Sequence, residues 1–506
     1  MFAQTFGATT FGLDGIAIHV EVDITNGLPG MEIVGLPDTA VRESRERVRA
    51  AIKNSGFEFP VQRITINLAP ADIKKDSSGL DLPIAIGILA ASGQIGENCR
   101  RCLFVSELSL EGRLRAVSGV LPMAMAAAEQ GITQLFVARE NAGEALLVDG
   151  LTVYAPDKLA EVVWHLQERR ALTPQQKRVE AAGLPVLGDD FSEVQGQVVA
   201  KRAVEIAAAG GHNLLLSGSP GSGKTMLARR VPGILPAMSD QEALEVTKIY
   251  SIAGLLSANT GLVSVRPFRS PHHTISDAGM IGGGRIPKPG EVTLSHHGVL
   301  FLDELPEFPR GVLEVLRQPL EDGHVTISRV QASSSYPARF MLIAAMNPCP
   351  CGFFGDGLQT CTCTPADIRR YVKKISGPLL DRIDIHVHVP RLEYSEIAAT
   401  VPAEPSAAIR SRVAAVRDLQ RERLGQYGLF CNAQMGHKHL KKFCPLTKDA
   451  QELLKQAFTK MNLSGRGYDR IIKVSRTIAD LAGEQIITEQ HVAEAIQFRN
   501  NAQKFD

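Results

Sequence analysis

The sequence has no long hydrophobic run, no excess of one charge and no density of cysteine that would place it in a special class of protein. No segment approaches the roughly 20 apolar residues that a membrane span requires. Lysine and arginine number 55 against 54 acidic residues, so the net charge of +1 provides no overall basic field for nucleic acid. The start of the chain has no basic segment followed by an apolar one, and we therefore expect no signal peptide.

Cysteine is sparse, with eight residues in a chain of 506. A disulfide scaffold needs a much higher density in a short exported chain, so we expect reduced thiols or metal ligands in a cytoplasmic protein. Hydrophobic residues make up 44% and charged residues 22% of the chain. These values are typical of a globular protein, here of roughly two to four domains.

The most informative stretch is a glycine-rich loop that follows the apolar strand 214–216 and precedes a helix-compatible segment. It fits the pattern GxxxxGK[ST] with Gly218, Ser219, Pro220, Gly221, Ser222, Gly223, Lys224 and Thr225. Glycines allow the backbone to direct its N–H groups toward a phosphate. Lys224 can reach the β- and γ-phosphates, and Thr225 can hold Mg²⁺. The pattern predicts an ATP site, and an ordinary glycine-rich turn is the alternative.

A second apolar segment ends in two carboxylates. Residues 299–302 are typical of a buried parallel strand, and Asp303 and Glu304 follow at the end where ligands bind in open α/β sheets. Asp303 suits the coordination shell of Mg²⁺, and Glu304 suits the polarisation of an attacking water. Together with the phosphate loop, the pair predicts nucleotide hydrolysis. On its own it would indicate a solvated acidic turn.

Three further polar residues are assigned to this site by their positions. Asn347 follows the apolar strand 341–346 and can hold the lytic water, or it simply starts an Asn-Pro turn. Arg382 precedes the strand 385–389, and in a ring of subunits it can stabilise transition-state charge on the neighbour's nucleotide. A lone surface arginine is the alternative. Gln197 is predicted to contact the adenine side.

The region 391–506 is rich in predicted helices. The segment 464–483 is predicted to be an amphipathic helix with Arg466 and Arg470 in its first turns. Either arginine can contact the γ-phosphate from this helical lid. Upstream, residues 324–330 and 338–348 are predicted to pair as a hairpin through a serine-rich turn.

Two C-x-C pairs form a candidate metal site. Its members are Cys349, Cys351, Cys361 and Cys363. Two thiolate pairs can close a tetrahedral Zn²⁺ site, although C-x₂-C is the commoner spacing. Reduced thiols in a surface loop are the alternative. Cys99 and Cys102 have no second pair nearby, and we expect no metal there.

The segment 268–297 is predicted to protrude as a loop, since it contains glycines 282–284 flanked by prolines. Arg285 and Lys288 lie in it, and a ring of subunits would multiply them into a track for DNA phosphates. Four histidines of this segment lack the spacing of metal ligands, and we interpret them as solvated or structural: His272, His273, His296 and His297.

Residues 1–168 form an α/β unit whose order of elements resembles the Lon-protease-like domain. That resemblance places Gly79 at the position of the nucleophilic serine and Met123 at the position of the lysine. Ser78 is one residue away. A Ser–Lys dyad needs a base beside the hydroxyl, which methionine cannot supply. We therefore expect a catalytically inactive scaffold or interaction domain.

The order of these motifs is that of an AAA+ ATPase, and nearly the whole chain resembles the ComM/YifB family of Mg-chelatase-like AAA+ proteins. Three stretches carry the resemblance: RSPHHTISDAGMIGGG (269–284), NPCPCGFFGD (347–356) and SGPLLDRIDIHV (376–387). It implies an α/β fold class with a Lon-like (S5-type) domain over 1–168, a linker over 169–187, a parallel-sheet AAA+ core over 188–390 and a helical lid over 391–506.

The resemblance also implies a homohexameric motor that uses ATP and Mg²⁺ to act on branched or single-stranded DNA. In the ComM branch of the family it implies a branch-migration helicase that integrates incoming DNA during natural transformation. A magnesium-chelatase-type motor that acts on a protein partner is the alternative. A proteolytic Lon-like machine is disfavoured by Gly79 and Met123.

Overall fold

The computed structural model describes residues 1–503 except 76, 97–98, 100, 178–188, 258–260, 285–287, 330–331 and 393–402. In chain order the strands are β1 (Phe2–Phe11), β2 (Asp14–Thr25), β3 (Gly30–Val34), β4 (Arg63–Ala69), β5 (Cys102–Val105), β6 (Glu107–Leu108), β7 (Leu114–Arg115), β8 (Gln134–Val137), β9 (Thr152–Tyr154), β10 (Leu214–Ser217), β11 (Phe268–Arg269), β12 (Gly282–Gly283), β13 (Lys288–Pro289), β14 (Val299–Leu302), β15 (His324–Arg329), β16 (Ala332–Pro337), β17 (Met341–Met346) and β18 (Ile385–His388).

The α-helices, in the same order, are α1 (Thr39–Asn54), α2 (Asp81–Ala91), α3 (Val120–Glu129), α4 (Ala142–Ala145), α5 (Leu159–Leu166), α6 (Val198–Gly210), α7 (Lys224–Ile234), α8 (Asp240–Ala253), α9 (Asp277–Ile281), α10 (Glu291–Leu294), α11 (Arg310–Val315), α12 (Arg317–Asp322), α13 (Pro365–Val372), α14 (Gly377–Leu380), α15 (Ser406–Leu424), α16 (His437–Phe443), α17 (Lys448–Lys460), α18 (Gly465–Ala482) and α19 (Glu489–Gln503). None of these helices, within the part of the chain that the structure describes, has the length and apolar character of a membrane span.

The chain divides into two compact units, and their boundaries differ from the predicted ones. The first unit comprises Met1–Gly183 and Asp240–Val263, and the second comprises Leu184–Ser239 and Ser264–Asp506. The sequence predicted one continuous ATPase core over 188–390, whereas the structure groups α8 and the residues after it with the N-terminal unit. Most of the predicted linker, from 178 onward, lies outside the described residues.

The first unit is built on a mixed sheet of order β3-β4-β2-β1-β5-β8-β9. β1 and β2 form an antiparallel hairpin, while β5, β8 and β9 continue the sheet in parallel. Apolar residues of α1, α2 and α5 form one core cluster with strand residues, and those of α3 and α4 form a second. The sheet is therefore covered by helices, as the predicted α/β class requires.

Helix α2 is buried along nearly its whole length, and its one acidic residue needs a partner for that reason. Asp81 lies in the first turn and is buried. Arg47 donates to both of its carboxylate oxygens, at 2.8 and 3.1 Å, and the backbone N–H of Leu108 donates a third hydrogen bond at 3.2 Å. Burial nevertheless raises the pKa of Asp81, and the bonds from Arg47 oppose that rise.

Helix α8 is fastened to the rest of the first unit by a buried carboxylate. Ser251 donates from its hydroxyl to Glu144 Oε2 at 2.5 Å, and Asn141 donates to Glu144 Oε1 at 2.7 Å. The carbonyl of Ser251 also accepts from the N–H of Gly119 at 3.0 Å. Burial raises the pKa of Glu144, which makes each of these donors more important.

Replacing Ser251 by alanine is expected to destabilise the first unit by about 1–2 kcal/mol, because Glu144 then stays buried with one donor fewer. The chain has a single tryptophan, Trp164 in helix α5 of the same unit. Urea unfolding followed by its fluorescence measures the change. Gln241→Ala, on the exposed first turn of α8, is the matched control and should leave the transition in place. A Ser251→Ala protein that unfolds with the wild type would contradict this role for α8.

The second unit is built on a parallel sheet of order β11-β14-β17-β10-β18. The phosphate-loop strand β10 lies inside it, between β17 and β18. Apolar residues of α15, α18 and α19 share one core cluster with β10, β14 and β17. The C-terminal helices thus pack into the same core as the sheet, and every parallel strand ends at the same edge.

The predicted hairpin between 324–330 and 338–348 is wrong. β15 pairs instead with β16, in a register that runs from His324 opposite Pro337 to Arg329 opposite Ala332. The serine-rich stretch that was predicted to be a turn is therefore the second strand. The apolar strand β17 is freed for the centre of the parallel sheet, because a run of fully buried residues fits a strand that is covered on both faces.

Candidate nucleotide site

The glycine-rich loop lies at the carboxyl end of β10 and leads directly into α7. Gly221 and Gly223 adopt φ values of 76° and 90°, which are available to glycine at little cost. A side chain at Gly218 would lie 2.2 Å from the carbonyl oxygen of Val389, so only glycine fits there. The predicted strand, loop and helix are all present, and the loop has the backbone conformation of an anion-binding turn.

Lys224 lies inside this loop, with 8% of its surface exposed. Its ammonium group donates to the carbonyl oxygens of Gly218 and Ser219 at 2.7 and 2.9 Å, and to Asn347 Oδ1 at 3.3 Å. Burial lowers the pKa of Lys224, and the neighbouring Asp303 raises it. The structure thus brings together the lysine, the loop and the asparagine at the end of β17.

The acidic pair follows β14 as predicted and contacts the loop. Thr225 donates from its hydroxyl to Asp303 Oδ2 at 2.7 Å. The other oxygen, Asp303 Oδ1, accepts from the backbone N–H of Glu304 at 2.9 Å. A hydroxyl beside a carboxylate is a pair of hard oxygen ligands, and Mg²⁺ prefers such ligands. The donor set therefore fits the ion that the sequence predicted.

Glu304 is oriented differently from Asp303. Its backbone φ is 53°, in the left-handed region that residues other than glycine rarely adopt. Its side chain is 57% exposed, and Oε2 lies 3.5 Å from Nδ1 of His273. The sequence predicts a solvated or structural His273 and gives no sign of this contact. No spacing rule signals it, because the two residues are 31 positions apart and meet only through the fold.

Gln197 joins two parts of the site. It donates from Nε2 to the carbonyl oxygens of Ser222 at 3.2 Å and Pro390 at 2.7 Å. Its Oε1 is buried and accepts no hydrogen bond within the described residues. These contacts hold Gln197 beside the phosphate loop, and the predicted adenine contact stays a prediction.

Arg382 and Arg466 are not brought to the loop of their own chain. Arg382 is buried and donates to Glu321 Oε1 at 2.5 Å and to the carbonyl of Pro378 at 2.6 Å. Arg466 Nη2 lies 3.6 Å from the same Glu321 oxygen. The two arginines, for which the sequence predicts different roles, therefore share Glu321 as their acidic partner.

Arg470 lies at the opposite edge of the sheet from the phosphate loop. Its Nε is 3.0 Å from Asp384 Oδ1, and Asp384 Oδ2 accepts from the N–H of Asn213, the residue before β10. These groups mark the amino ends of β10 and β18. Within this chain, the structure contradicts a contact between Arg470 and the γ-phosphate, since the loop leaves β10 at its other end.

The four cysteines of the C-x-C pairs converge. All four sulfur atoms lie within 4.8 Å of one another, and none is in a disulfide. The predicted cluster is therefore geometrically possible. Cys99 and Cys102, where no metal is expected, are buried in the first unit.

The predicted basic loop is partly described. Lys288 is exposed on β13, which pairs with β12 as a short antiparallel hairpin. Arg285 lies outside the described residues. In the first unit, Met123 is 1% exposed in a core cluster, and a side chain at Gly79 would meet the Ser77 hydroxyl at 3.0 Å as well as Val105 and Val117. Neither of the two positions that correspond to a Lon dyad thus carries a nucleophile or a base.

Comparison with known families matches three segments of the chain. The family described as magnesium chelatase, subunit ChlI, matches residues 190–397, and its C-terminal family matches 403–499. The family described as subunit ChlI of Mg-chelatase matches residues 20–141. These matches fall in both units and include every residue of the candidate nucleotide site.

Individual relatives extend this result. The competence protein ComM of Haemophilus influenzae is 45% identical over 502 residues, which cover 98% of this chain and 97% of the relative. The protein YifB of Escherichia coli is 45% identical over 490 residues, covering 96% and 95%. A Lon protease of Mycolicibacterium smegmatis is 25% identical over 170 residues, or 31% of this chain and 21% of the protease.

Proposed function

The chain belongs to the ComM/YifB family of magnesium-chelatase-like AAA+ proteins, and from this premise we propose that it is a ring-forming ATPase that moves DNA. One observation carries the ATPase part of the proposal. The loop lysine, the Thr225–Asp303 pair and the end of β17 meet at one edge of a parallel sheet. Ligands bind at this edge in open α/β sheets.

The residues of this edge have separate roles in the proposal. Lys224 and the loop N–H groups hold the phosphates, and Thr225 and Asp303 hold Mg²⁺. When bound, Mg²⁺ offsets the negative charge of the phosphate oxygens. Glu304 accepts a proton from the attacking water, and Asn347 orients that water. Gln197, which donates to the carbonyl of Ser222 in the phosphate loop, contacts the adenine side of the nucleotide.

The arrangement of the arginines supports a ring. The backbone carbonyl of Arg382 accepts from Asn213 at the amino end of β10, whereas the phosphate loop leaves the carboxyl end. Since a strand rises about 3.3 Å per residue, a four-residue strand separates the two ends by about 13 Å. Arg382 and Arg466 therefore suit the nucleotide of a neighbouring subunit, and a homohexamer closes such head-to-tail contacts.

Replacing Arg382 by alanine is expected to lower ATP turnover by about 10³-fold while nucleotide binding is retained, as for other arginines that act across an interface. The decisive measurement mixes Arg382→Ala subunits with Glu304→Gln subunits. An interface in which the Arg382→Ala subunit supplies Glu304 and the Glu304→Gln subunit supplies Arg382 then has both residues intact, and part of the activity returns. Arg421→Ala, an exposed arginine of α15, is the control and should keep full turnover. Mixed rings that stay inactive would refute the role in trans.

The DNA part of the proposal is supported by the relation to ComM, which its name describes as a competence protein. The exposed Lys288 and the neighbouring Arg285 would line a central pore and contact phosphates there. We propose branch migration of incoming DNA in the cytoplasm as the cellular role. A magnesium-chelatase-type motor that acts on a protein partner is the second candidate, and the family matches over 190–397 and 403–499 favour it equally.

ATPase stimulation by forked or Holliday-junction DNA separates the two candidates. A DNA motor should be stimulated several-fold by these substrates, and Lys288→Ala should reduce the stimulation without changing basal turnover. Normal basal turnover that no DNA stimulates would instead support the chelatase-type motor.

We assign no peptidase activity to the Lon-like domain over 1–168, and we propose Zn²⁺ as a second metal at the four cysteines.

A further inference from the structure

Residues 349–363, here called the cysteine loop, bring four sulfur atoms to one point beside the nucleotide site. Cys349 Sγ lies 3.3 Å from Cys351 Sγ and 3.7 Å from Cys361 Sγ, and the latter two are 3.5 Å apart. A disulfide would need about 2.05 Å. Four thiolates around Zn²⁺ at about 2.3 Å lie about 3.8 Å from one another, so the observed spacing fits a tetrahedral ion.

Backbone N–H groups point at these sulfur atoms. The N–H of Phe354 donates to Cys349 Sγ at 3.3 Å, and the N–H of Cys351 donates to Cys363 Sγ at 3.4 Å. Such bonds stabilise thiolates and fix their orientation around a metal. The loop is therefore organised as the ligand shell of a thiophilic divalent cation.

The backbone of the cysteine loop packs directly against the phosphate loop. Gly352 has a φ of 87°, and a side chain there would lie 2.7 Å from the ring of Pro220. Only glycine allows this approach between the two loops. Gly352 immediately follows the ligand Cys351, so the position of the metal fixes the surface on which Pro220 rests.

A charged pair makes a second connection. Asp356 lies between the two cysteine pairs, and the neighbouring Ser219 side chain holds the pKa of Asp356 below its usual range. Asp356 Oδ2 is also 3.6 Å from Nε of Arg391, and Arg391 donates to the carbonyl of Pro220 at 3.3 Å. The Arg391 guanidinium stacks over Phe353 at 5.5 Å. The phosphate loop is thus held through both its backbone and a side chain.

The third connection runs along the chain. Cys349 follows Asn347 by two residues, and Asn347 Oδ1 accepts from Lys224. Cys349 is fully buried. A shift of the cysteine loop would therefore be transmitted to the asparagine beside the lysine as well as to the loop itself.

We propose that a Zn²⁺ ion held by Cys349, Cys351, Cys361 and Cys363 braces the phosphate loop, so that nucleotide affinity depends on the metal. This inference rests on the proposed nucleotide site and adds a structural metal as a condition of its function. The ion takes no part in hydrolysis, because four thiolate ligands leave no open position.

Metal content tests the site. Full-length protein purified without added metal should contain one zinc per chain, measured by mass spectrometry. Cys351→Ser/Cys361→Ser should lose it, whereas Cys99→Ser/Cys102→Ser, the other cysteine pair, should keep it. Protein with intact thiols and no bound zinc would overturn the site, and so would a serine variant that keeps its metal.

Nucleotide affinity tests the brace. We expect zinc-stripped protein, after removal of the chelator and addition of Mg²⁺, to bind a fluorescent ADP analogue about tenfold more weakly, and added Zn²⁺ to restore the affinity. Unchanged affinity in stripped protein would overturn the brace and leave the zinc site standing. Zinc-loaded protein that binds no nucleotide would overturn the proposed nucleotide site, and the brace with it.

The variant Asp356→Ala tests the connection between the cysteine loop and the phosphate loop while the metal ligands stay intact and the protein stays folded. This variant should keep one zinc per chain and its helical circular dichroism, and should bind the ADP analogue about fivefold more weakly. Asp418→Ala, an exposed aspartate of α15, is the matched control and should bind normally. Full affinity in Asp356→Ala would show that the charged pair does not support the loop, and would refute the brace as described.

Discussion

Replacing Lys224 by alanine should abolish ATP hydrolysis and weaken nucleotide binding by about 10- to 150-fold. The lysine supplies charge-assisted hydrogen bonds to phosphate, and each such bond contributes about 1.5–3 kcal/mol. The side chain is already held in place, since three oxygen atoms lie within 3.3 Å of its ammonium group. Little reorganisation is then required when phosphate oxygens replace those partners. Titration with a fluorescent ATP analogue and a turnover assay measure the two effects.

The same substitution also tests whether the loop geometry is functional. Lys455→Ala removes an exposed lysine of α17 in the same unit and should leave both measurements unchanged. If Lys224→Ala bound nucleotide as tightly as the wild type, the glycine-rich loop would be an ordinary turn, and the proposed function would fail at its first step. Helical circular dichroism checks independently that the variant is folded.

The phosphate loop and the acidic pair could be predicted because each is a local pattern attached to a buried strand. A strand of leucines followed by glycines, or by two carboxylates, carries its own structural context. Helix α18 was predictable for a similar reason, since Ser464 caps it and Gly483 ends it in the left-handed conformation. In each case, the signal lies within a few residues of the side chain that acts.

The features that sequence reasoning missed depend on contacts between distant segments. His273 meets Glu304, and Asp356 meets Arg391, through the packing of loops that no spacing rule connects. Strand β1 was missed because FAQTFGATTF alternates weakly, and only its full pairing with β2 makes it a strand. Arg470 was expected near phosphate from its place in a helix, but its carboxylate partner lies at the other edge of the sheet.

The division of the chain into these two units could not be predicted from the sequence either. Helix α8 follows the phosphate-loop helix directly and reads as part of the same domain. Its burial in the first unit depends on Glu144, about a hundred residues upstream, and on the N–H of Gly119. A carboxylate holds a helix in this way only where water is excluded from its surroundings, and the local sequence does not indicate such burial.

Glu304→Gln is expected to lower ATP turnover by about 10²- to 10⁴-fold and to leave nucleotide binding intact, because glutamine keeps the shape of the side chain but cannot accept the proton of the attacking water. The variant should therefore trap ATP-bound rings, visible as a stable high-mass species by light scattering. Glu307→Gln is the matched control. It lies three residues away, pairs with Lys374 at 3.1 Å, and should hydrolyse ATP normally.

The structure explains why Glu304 and not Asp303 should behave in this way. Both oxygens of Asp303 are engaged, by Thr225 and by the N–H of Glu304, so its place is fixed beside the loop. Glu304 is turned away by its left-handed backbone, and more than half of its side chain is exposed to accept a proton. Asp303→Asn should accordingly weaken Mg²⁺-dependent binding, whereas Glu304→Gln should not. If both variants lost affinity equally, the two carboxylates would share one role in holding the ion, and Glu304 would not be the general base.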